Sequence, residues 1–600
     1  MHNINCSLST PASLKQDGED DIRKEIKQRK AQVDESGIDV YPRYVKDKKE
    51  MSLIHFIRKW RDLKPGDVAD IEKDIQTPVV VAGRIKSIRL SGKRLAFIDI
   101  VGGQGHRLQV LYNFGALERK GVTRDEFTRV KQLLHRGDII SIEGHPHRTN
   151  SGELSIKAIE LPKMLSPCLH DFPAERTLQK SSSDQEQDWQ KLDKHVDMLL
   201  SPDPIQVLVQ RYQIINNMRK FFTHRQYIEV QTPILAAAAG GATARPFETT
   251  ATEFPGKKLA LRVAPELWLK RLIIGGLPKV FEIGPSFRNE GLDKTHNPEF
   301  TTCETYSAFT SLDELISTTE ELFLELSTKQ HKSYHDEINR QGTFEIKARS
   351  LKVQEMPYPP SALEGPWPQI DFIPALNAAL ETSLPNLSLP TPKTLTALLA
   401  IFQEHSIPLP EKPTLPRLLD KLCSHTLEPQ CLKPTWITNL PSCMSPLSKS
   451  SIHPTAPNNQ PVAARAELYI NHLEIVNCYE EENSPFEQRR KFKLQGLLAS
   501  TFAINPSTST LSPPQEADPE AMSLDEDYLR ALEWGLPPTG GWGCGIDRLV
   551  MLFTGKDRIG DVLSFGSLRA VTRTAEKWKK EQLELGSSED VERALDGEVK

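Results

Sequence analysis

No run of about 18 apolar residues occurs anywhere in the 600-residue chain, which excludes a membrane-spanning helix. Cysteine is sparse and scattered, with eight residues at positions 6, 168, 303, 423, 431, 443, 478 and 544 and no CxxC pair. That excludes a zinc knuckle or a disulfide framework and fits a reducing compartment. Excess charge is also lacking: 75 Lys and Arg face 80 Asp and Glu, for a net charge of −5. A nucleic-acid partner would therefore need local basic surfaces, not a basic chain. No apolar stretch follows Met1, so a secretory signal is not expected. The first 16 residues hold one basic and no acidic residue, but Asp17, Glu19, Asp20 and Asp21 follow, which is wrong for a long Arg-rich transit peptide. What is there is ordinary for a soluble globular protein, 38% hydrophobic and 26% charged. The length exceeds one core and implies roughly three to five domains.

Along the chain, residues 20–35 (DDIRKEIKQRKAQVDE) read as a polar helix, either a solvated face or a helix that contacts RNA. Residues 76–163 hold short β-rich runs (VVVAGRIKSIRL, RLAFIDIVG, HRLQVLYN, DIISIEGHP, ELSIKAIEL) separated by Gly, Ser and Asn. Five strands with one helical interlude near 124–134 predict a small barrel of the OB type, a fold that often binds single-stranded nucleic acid. A polar connector fills 170–205. A helix is expected near 206–224, and Leu312, Leu315, Ile316, Leu322, Phe323 and Leu326 share one face of a core helix. Residues 355–460 read as Pro-rich and irregular with one helical stretch near 393–405, 505–520 as an exposed loop, and the tail beyond Thr572 as a charged, solvated helix.

Chemistry concentrates in VFEIGPSFRNEGLDKTHNPEFTTCETYSA, residues 280–308. Two β-rich runs flank a loop, so the segment predicts a long antiparallel hairpin, with Arg288 roughly opposite Glu304 if it folds about its midpoint. An arginine facing carboxylates, with Phe300 and His296 nearby, suits a nucleotide site, and a surface hairpin with a salt bridge is the bland alternative. In RAELYINHLEIVNCYEEEN (465–483), two strand-like runs meet near Asn471–His472, so that Glu467 and Glu474 converge. Paired carboxylates beside a triphosphate are natural Mg²⁺ ligands, against the alternative of a solvated acidic hairpin. The glycines of GWGCG (541–545) form neither a dinucleotide fingerprint nor a Walker loop.

These segments together resemble the class II aminoacyl-tRNA synthetases of subclass b, in particular the lysine-specific family. FRNEG followed by HNPEFTTCETY resembles motif 2, FFTHRQYIEVQTPIL (221–235) motif 1, GGATARPFET (240–249) the amino-acid loop, PSCMSPLSK (441–449) the MSPL segment, and GLPPTGGWGCGIDRLVMLFTG (535–555) motif 3. The implied fold is α+β and multidomain: an N-terminal extension (1–75), an OB-fold anticodon-binding domain (76–165), a linker (166–205), a catalytic domain (206–575) and a charged tail (576–600). In the catalytic domain the resemblance implies an antiparallel sheet flanked by helices, interrupted by a Pro-rich insertion at about 340–440.

Residue by residue, the resemblance implies that Arg288, Glu290, His296, Asn297, Phe300, Gly545 and Arg548 bind ATP, with Arg288 and Arg548 catalytic. It implies that Glu266, Glu304, Tyr306, Asn477 and Glu481 bind L-lysine, and that Glu467 and Glu474 hold Mg²⁺. Phe97, Gln109 and Glu153 fall at anticodon-binding positions, although for Phe97 a place in the barrel core is the competing reading. A pocket rich in carboxylates favours a cationic side chain, which argues against an aspartyl or asparaginyl enzyme. An inactive paralogue that only binds RNA would be expected to lose Arg288, Arg548 or the glutamate pair, and all are present. The family also implies tRNA(Lys) as partner, a homodimer through the motif 1 region and no membrane. EIGPSFRNEG, APELWLKRL and the divergent insertion look like fungal mitochondrial forms, and the acidic N-terminus argues for the cytoplasm. In LSFG (563–566), Gly566 replaces the family's usual proline, and QKLDKHVDMLL (190–200) replaces an Arg-rich segment.

Overall fold

A computed structural model describes residues 13–47, 49–66, 78–170, 194–201, 203–237, 240–242, 244–342, 357–389, 391–410, 413–500, 503–505, 510–512, 524–568 and 572. The C-terminal tail and nearly all of the polar connector lie outside these residues. The chain divides into two compact units, one ending near Pro202 and one beginning near Asp203.

The first unit opens with helices α1 (Ser13–Glu35) and α2 (Leu53–Lys59). Strands β1 (Val79–Ser91), β2 (Leu95–Val101), β3 (Arg107–Asn113), β4 (Ile139–Arg148), β5 (Leu154–Ala158) and β6 (Lys163–Ser166) form one sheet in the order β1-β2-β3-β5-β4-β6. Pairing of β1 with β4 closes it into a barrel. The helical interlude is α3 (Arg124–Leu133), started by a capping box in which Thr123 and Glu126 exchange hydrogen bonds. Two expectations are corrected. A sixth strand, β6, pairs with β4; its four residues are too few to carry a period-2 signal. Val33, Leu53, Phe56 and Trp60, in the segment read as an extension, are buried in the barrel's own core. On α1, Arg29 is buried and pairs with Asp138 at 2.9 Å, whereas Lys24, Lys27 and Lys30 are exposed, so one face of this polar helix docks and the other is solvated.

In the second unit, α4 (Asp203–His224) leads to the short strand β7 (Ile228–Glu229). Helix α5 (Glu266–Ile274) precedes the hairpin β8 (Lys279–Phe287) and β9 (Glu299–Ala308), and the core helix α6 (Leu312–Gly342) follows. Strand β10 (Gln369–Asp371) and helices α7 (Phe372–Ala379), α8 (Pro392–Glu404) and α9 (Leu415–Thr426) lead to β11 (Thr435–Thr438). Then come β12 (Arg465–Ile470), β13 (Leu473–Glu480), α10 (Pro485–Ser500), α11 (Glu526–Leu532), β14 (Thr539–Gly545) and α12 (Ile546–Thr554). The eight-stranded sheet runs β10-β11-β12-β13-β14-β9-β8-β7, parallel only at its two edge pairs, β10–β11 and β7–β8.

The segment read as irregular holds, besides the expected helix at Pro392–Glu404, two further helices, Phe372–Ala379 and Leu415–Thr426, around a core of Phe372, Leu376, Leu398, Phe402, Leu418 and Leu422. Its prolines mislead because several sit where a helix tolerates them: Pro392 and Pro416 occupy first-turn positions behind the N-caps Thr391 and Thr414. Where an exposed loop was expected, Ala503–Asn505 pairs with Thr510–Ser512 as a two-stranded hairpin.

Candidate active site

Strand alternation puts the site on one face of the central sheet. On β9 and β13, Cys303, Val476 and Cys478 point into the core, and on β14 Trp542 and Cys544 do the same. The residues between them face a cleft of about 410 Å³: Thr302, Glu304 and Tyr306 from β9, Asn477 and Tyr479 from β13, and Gly541, Gly543 and Gly545 from β14. The register sets them in rows, with Gly543 between Glu304 and Asn477, and Gly541 between Tyr306 and Tyr479. The glycines thus lie where side chains would fill the cleft. A Cβ on Gly541 would collide with the Glu481 carboxylate and lie 2.8 Å from Tyr306 Cε1.

At one end of the cleft the acidic residues gather. Glu266, at the start of α5, accepts from Tyr479 Oη at 2.6 Å and from Lys270 Nζ at 2.5 Å. Tyr306 Oη donates to Glu304 at 3.1 Å. Burial, reinforced by the charge of Glu266, pushes the Glu304 carboxyl up to about 8. Glu481 is fully buried behind this wall, does not line the cleft, and pairs with Lys270. Gly241, at φ +95°, brings the amino-acid loop so close to α5 that a Cβ there would lie 3.1 Å from that of Glu266.

The other end is basic and more open. The β8–β9 register pairs Phe287 with Glu299 and Glu282 with Glu304. Arg288 therefore does not face Glu304: the observed pairs are centred on Asp293, whereas an Arg288–Glu304 pairing would be centred on His296, and Arg288 lies just past the last pair, where the loop begins. Both residues still line the cleft, and the Arg288 guanidinium lies 5.1 Å from the Phe300 ring. Arg548, at the start of α12, donates to His296 Nε2 at 2.7 Å. His296 Nδ1 in turn lies 2.8 Å from the Asp293 carboxylate, so the ring bridges Arg548 and Asp293. Burial pushes the Asp293 carboxyl up, but the Thr295 amide and His296 outweigh it and hold it at about 2. Asn297 is committed to the loop, donating to the Glu299 carbonyl and accepting from the Leu568 amide. Glu290 and Gly545 line the same end. Asp547 fixes the hairpin to α4, accepting from Arg211 at 2.5 Å and from the Thr301 amide at 2.8 Å.

Glu467 and Glu474 lie on the neighbouring strands β12 and β13 but are offset, Glu467 pairing with Asn477 and Glu474 with Tyr469; the turn between the strands, at Asn471 and His472, takes two positive φ angles, as a tight two-residue hairpin requires. Glu474 lines the cleft, and Glu467 lies behind it, accepting from Arg465 at 2.5 Å and from Tyr469 at 3.1 Å. Burial raises the Glu467 carboxyl; Arg465 opposes this and Glu474 adds to it, leaving it at about 7. Asp420 and Glu428 add negative charge on the same side, and Glu428 is likewise raised to about 7, by burial and then by Asp420 and Glu474. This surplus of carboxylate beside a phosphate-sized opening is the donor chemistry a divalent cation needs. Among the described residues no three His, Cys, Asp or Glu side chains form a complete cage. A cation here would draw its remaining ligands from phosphate oxygens and water.

In the first unit, Phe97 and Asp99 alternate outward from the buried Ala96, Ile98 and Ile100, so Phe97 is not a barrel-core residue. Register aligns Asp99, Gln109 and Ser155 across three strands, and Ser155 Oγ donates to Gln109 at 3.1 Å. Glu153 is exposed two residues along β5's approach, on the same face.

Residues 186–569 match the family model for tRNA synthetases class II (D, K and N), and residues 79–162 match that for an OB-fold nucleic acid binding domain. The mitochondrial lysine–tRNA ligase of Schizosaccharomyces pombe is 39% identical over 549 residues, covering 91% of this chain and 94% of that protein. The chain belongs to the class II tRNA synthetases, in the lysine–tRNA ligase group. Two further relatives are the lysine–tRNA ligase of Aquifex aeolicus, 34% identical over 84% of this chain and 74% of that protein, and the mitochondrial lysine–tRNA ligase of Saccharomyces cerevisiae, 36% identical over 82% of each.

This synthetase site also contains residues that sequence reasoning passed over. Lys270, Tyr479 and Tyr528 surround the buried carboxylates, and the available signal was a lysine inside the apolar run LWLKRL, four residues after Glu266. Gly566, the departure from the family's proline, adopts φ +79°, which a proline ring forbids, so the backbone there follows a path of its own.

Proposed function

We propose that this protein activates L-lysine with ATP, forming lysyl-adenylate and pyrophosphate, and then transfers lysine to the 3′ end of tRNA(Lys). The observation that carries the reading is one cleft with a buried carboxylate cluster at one end and Arg288, His296 and Arg548 at the other. Lysine is bound with its ammonium groups toward Glu266 and Glu304, alongside Tyr306 and Asn477, with Glu481 adding negative charge from behind the wall, and its carboxylate toward Arg288. A carboxylate oxygen attacks the α-phosphorus in line, the bond to the β-phosphate oxygen breaks, and pyrophosphate departs. The protein's part is positioning and charge neutralisation, since no side chain needs to act as nucleophile. Arg288 steadies charge on the α-phosphate, Arg548 and His296 grip the outer phosphates, and Phe300 stacks on adenine. Glu467 and Glu474 would hold Mg²⁺, which when bound would add to the neutralisation of the triphosphate.

The outward face of the barrel, with Phe97, Gln109 and Glu153, serves the anticodon. Exposed Ile228, Ile234 and Leu235 in the motif 1 region supply the apolar patch of a homodimer. Mitochondria are the compartment proposed, by likeness to the Schizosaccharomyces pombe and Saccharomyces cerevisiae proteins; cell fractionation tests this against the cytoplasm. The deciding assay is ATP–pyrophosphate exchange with purified protein and single amino acids. Exchange with lysine, and none with aspartate or asparagine, is expected; exchange with aspartate alone would overturn the specificity, and none with any amino acid would favour an inactive RNA-binding paralogue.

A further inference from the structure

Lys270 sits behind the acidic end of the cleft. It is fully buried on α5, one turn from Glu266, and does not line the cleft. Its Nζ lies 2.5 Å from Glu266 Oε1 and also contacts Glu481. The rings of Tyr306, Tyr479 and Tyr528 stand 6.0, 5.8 and 5.9 Å from it, from three different elements. Among the described residues no donor other than this ammonium reaches the Glu481 carboxylate. Burial by itself would strip the proton from Lys270, but the charges of Glu266 and Glu481 outweigh it and hold the ammonium. Packing alone does not call for this arrangement, because well-packed apolar side chains of similar volume commonly stabilise a core as well as a buried ion cluster does.

We propose that Lys270 is a positioning residue for amino-acid recognition: its ammonium is the resident counter-ion that holds Glu266 in place at the cleft wall for the ammonium groups of the substrate and offsets the charge of Glu481 behind it. The proposal rests on the assignment of this pocket to lysine. Burial already raises the carboxyls of Glu304 and Glu481, and Lys270 opposes this at Glu481; without the counter-ion Glu481 retains its proton further and the acidic wall loses charge, and a protonated acid is a poor partner for a substrate cation. Raising the pH restores the carboxylates. The dependence thus runs in one direction, toward weaker lysine binding at lower pH.

The test is Lys270→Met, assayed by lysine-dependent ATP–pyrophosphate exchange between about pH 6.5 and 8.5, a window in which substrate lysine keeps its side-chain charge. Relative to the parent protein, KM for lysine at neutral pH should rise on the order of tenfold, the equivalent of one pKa unit, and the ratio should shrink as pH rises. KM for ATP should stay within about twofold, and Lys270→Arg, which keeps the cation, should restore a flat ratio. A lysine KM raised equally at every pH, or accompanied by the ATP KM, would reduce Lys270 to a packing residue and overturn the proposal. Should Lys270→Met not fold, Lys270→Gln, which removes the charge but keeps a polar head, takes its place; it should show the same lysine KM ratio that shrinks as pH rises, and a ratio equal at every pH would likewise overturn the proposal. Absence of lysine exchange by the unaltered protein would instead reject the pocket assignment, so the two failures are distinct.

Discussion

At the basic end of the cleft, polar and charged groups stand partly open to solvent: Arg548 reaches His296 and the Glu474 carbonyl, His296 contacts Asp293, and Arg288 lies over Phe300. At the acidic end, Glu266, Lys270, Glu304 and Glu481 are buried, and each carboxylate already has a hydrogen-bonding or ionic partner. The first arrangement suits a ligand that brings four negative charges and its own cation, because open, loosely paired cations lose little on exchanging partners. The second suits a small ligand that must be told from near-isosteres, because a dry site penalises every unpaired charge. Strength at one end and selectivity at the other follow from burial alone.

Substitutions at the two ends should therefore separate chemistry from discrimination. The largest effect is expected for Arg288→Ala: loss of one preorganised donor to the reacting phosphate should lower kcat for pyrophosphate exchange by about 10²–10³ while lysine binding, followed by calorimetry, stays intact. Next comes Glu481→Gln, which weakens a charge-assisted interaction worth about 1.5–3 kcal/mol and so should raise KM for lysine roughly tenfold or more, leaving that for ATP unchanged. Gly541→Ala should reproduce this phenotype by displacing the same carboxylate; equal effects on both substrates would erase the distinction between the two ends. Phe97→Ala should raise KM for tRNA by about 1–3 kcal/mol in aminoacylation and leave pyrophosphate exchange untouched.

The smallest effect is a proton. Glu304 is raised to about 8 and so is largely protonated at neutral pH; a bound cation lowers its pKa, so lysine binding should release up to about one proton there. Affinity should accordingly improve as pH rises toward 8 and level off above it. Calorimetry in buffers of different ionisation heat reads the release directly, and Glu304→Gln should abolish it.

The basic end and the glycine strand were legible in the sequence because loop motifs carry their spacing on the surface of the chain. The barrel was legible from alternation, whereas the outward place of Phe97 stayed open against a place in the core until the strand's burial pattern decided it. What escaped detection depends on distant partners. Lys270 becomes meaningful only when α5 is packed against β13 and α11, bringing Glu481 and Tyr528 to it. Two of the insertion's helices escaped because prolines in first turns look the same, in sequence, as prolines that break helices. The hairpin register escaped because the centre of the loop was placed at His296, three residues beyond the observed centre at Asp293, and nothing in the loop's own residues marks where pairing stops.

The row of Gly541, Gly543 and Gly545 has a consequence for how this protein can change over generations. A wall made only of main chain has nothing to trim, so each replacement there adds atoms to the cleft, and at Gly541 the first added carbon already collides with Glu481. Drift at these positions is one-directional. A lineage that acquires a new amino acid preference would have to rework β9, β13 or α5, whose side chains can shrink as well as grow, and leave β14 bare.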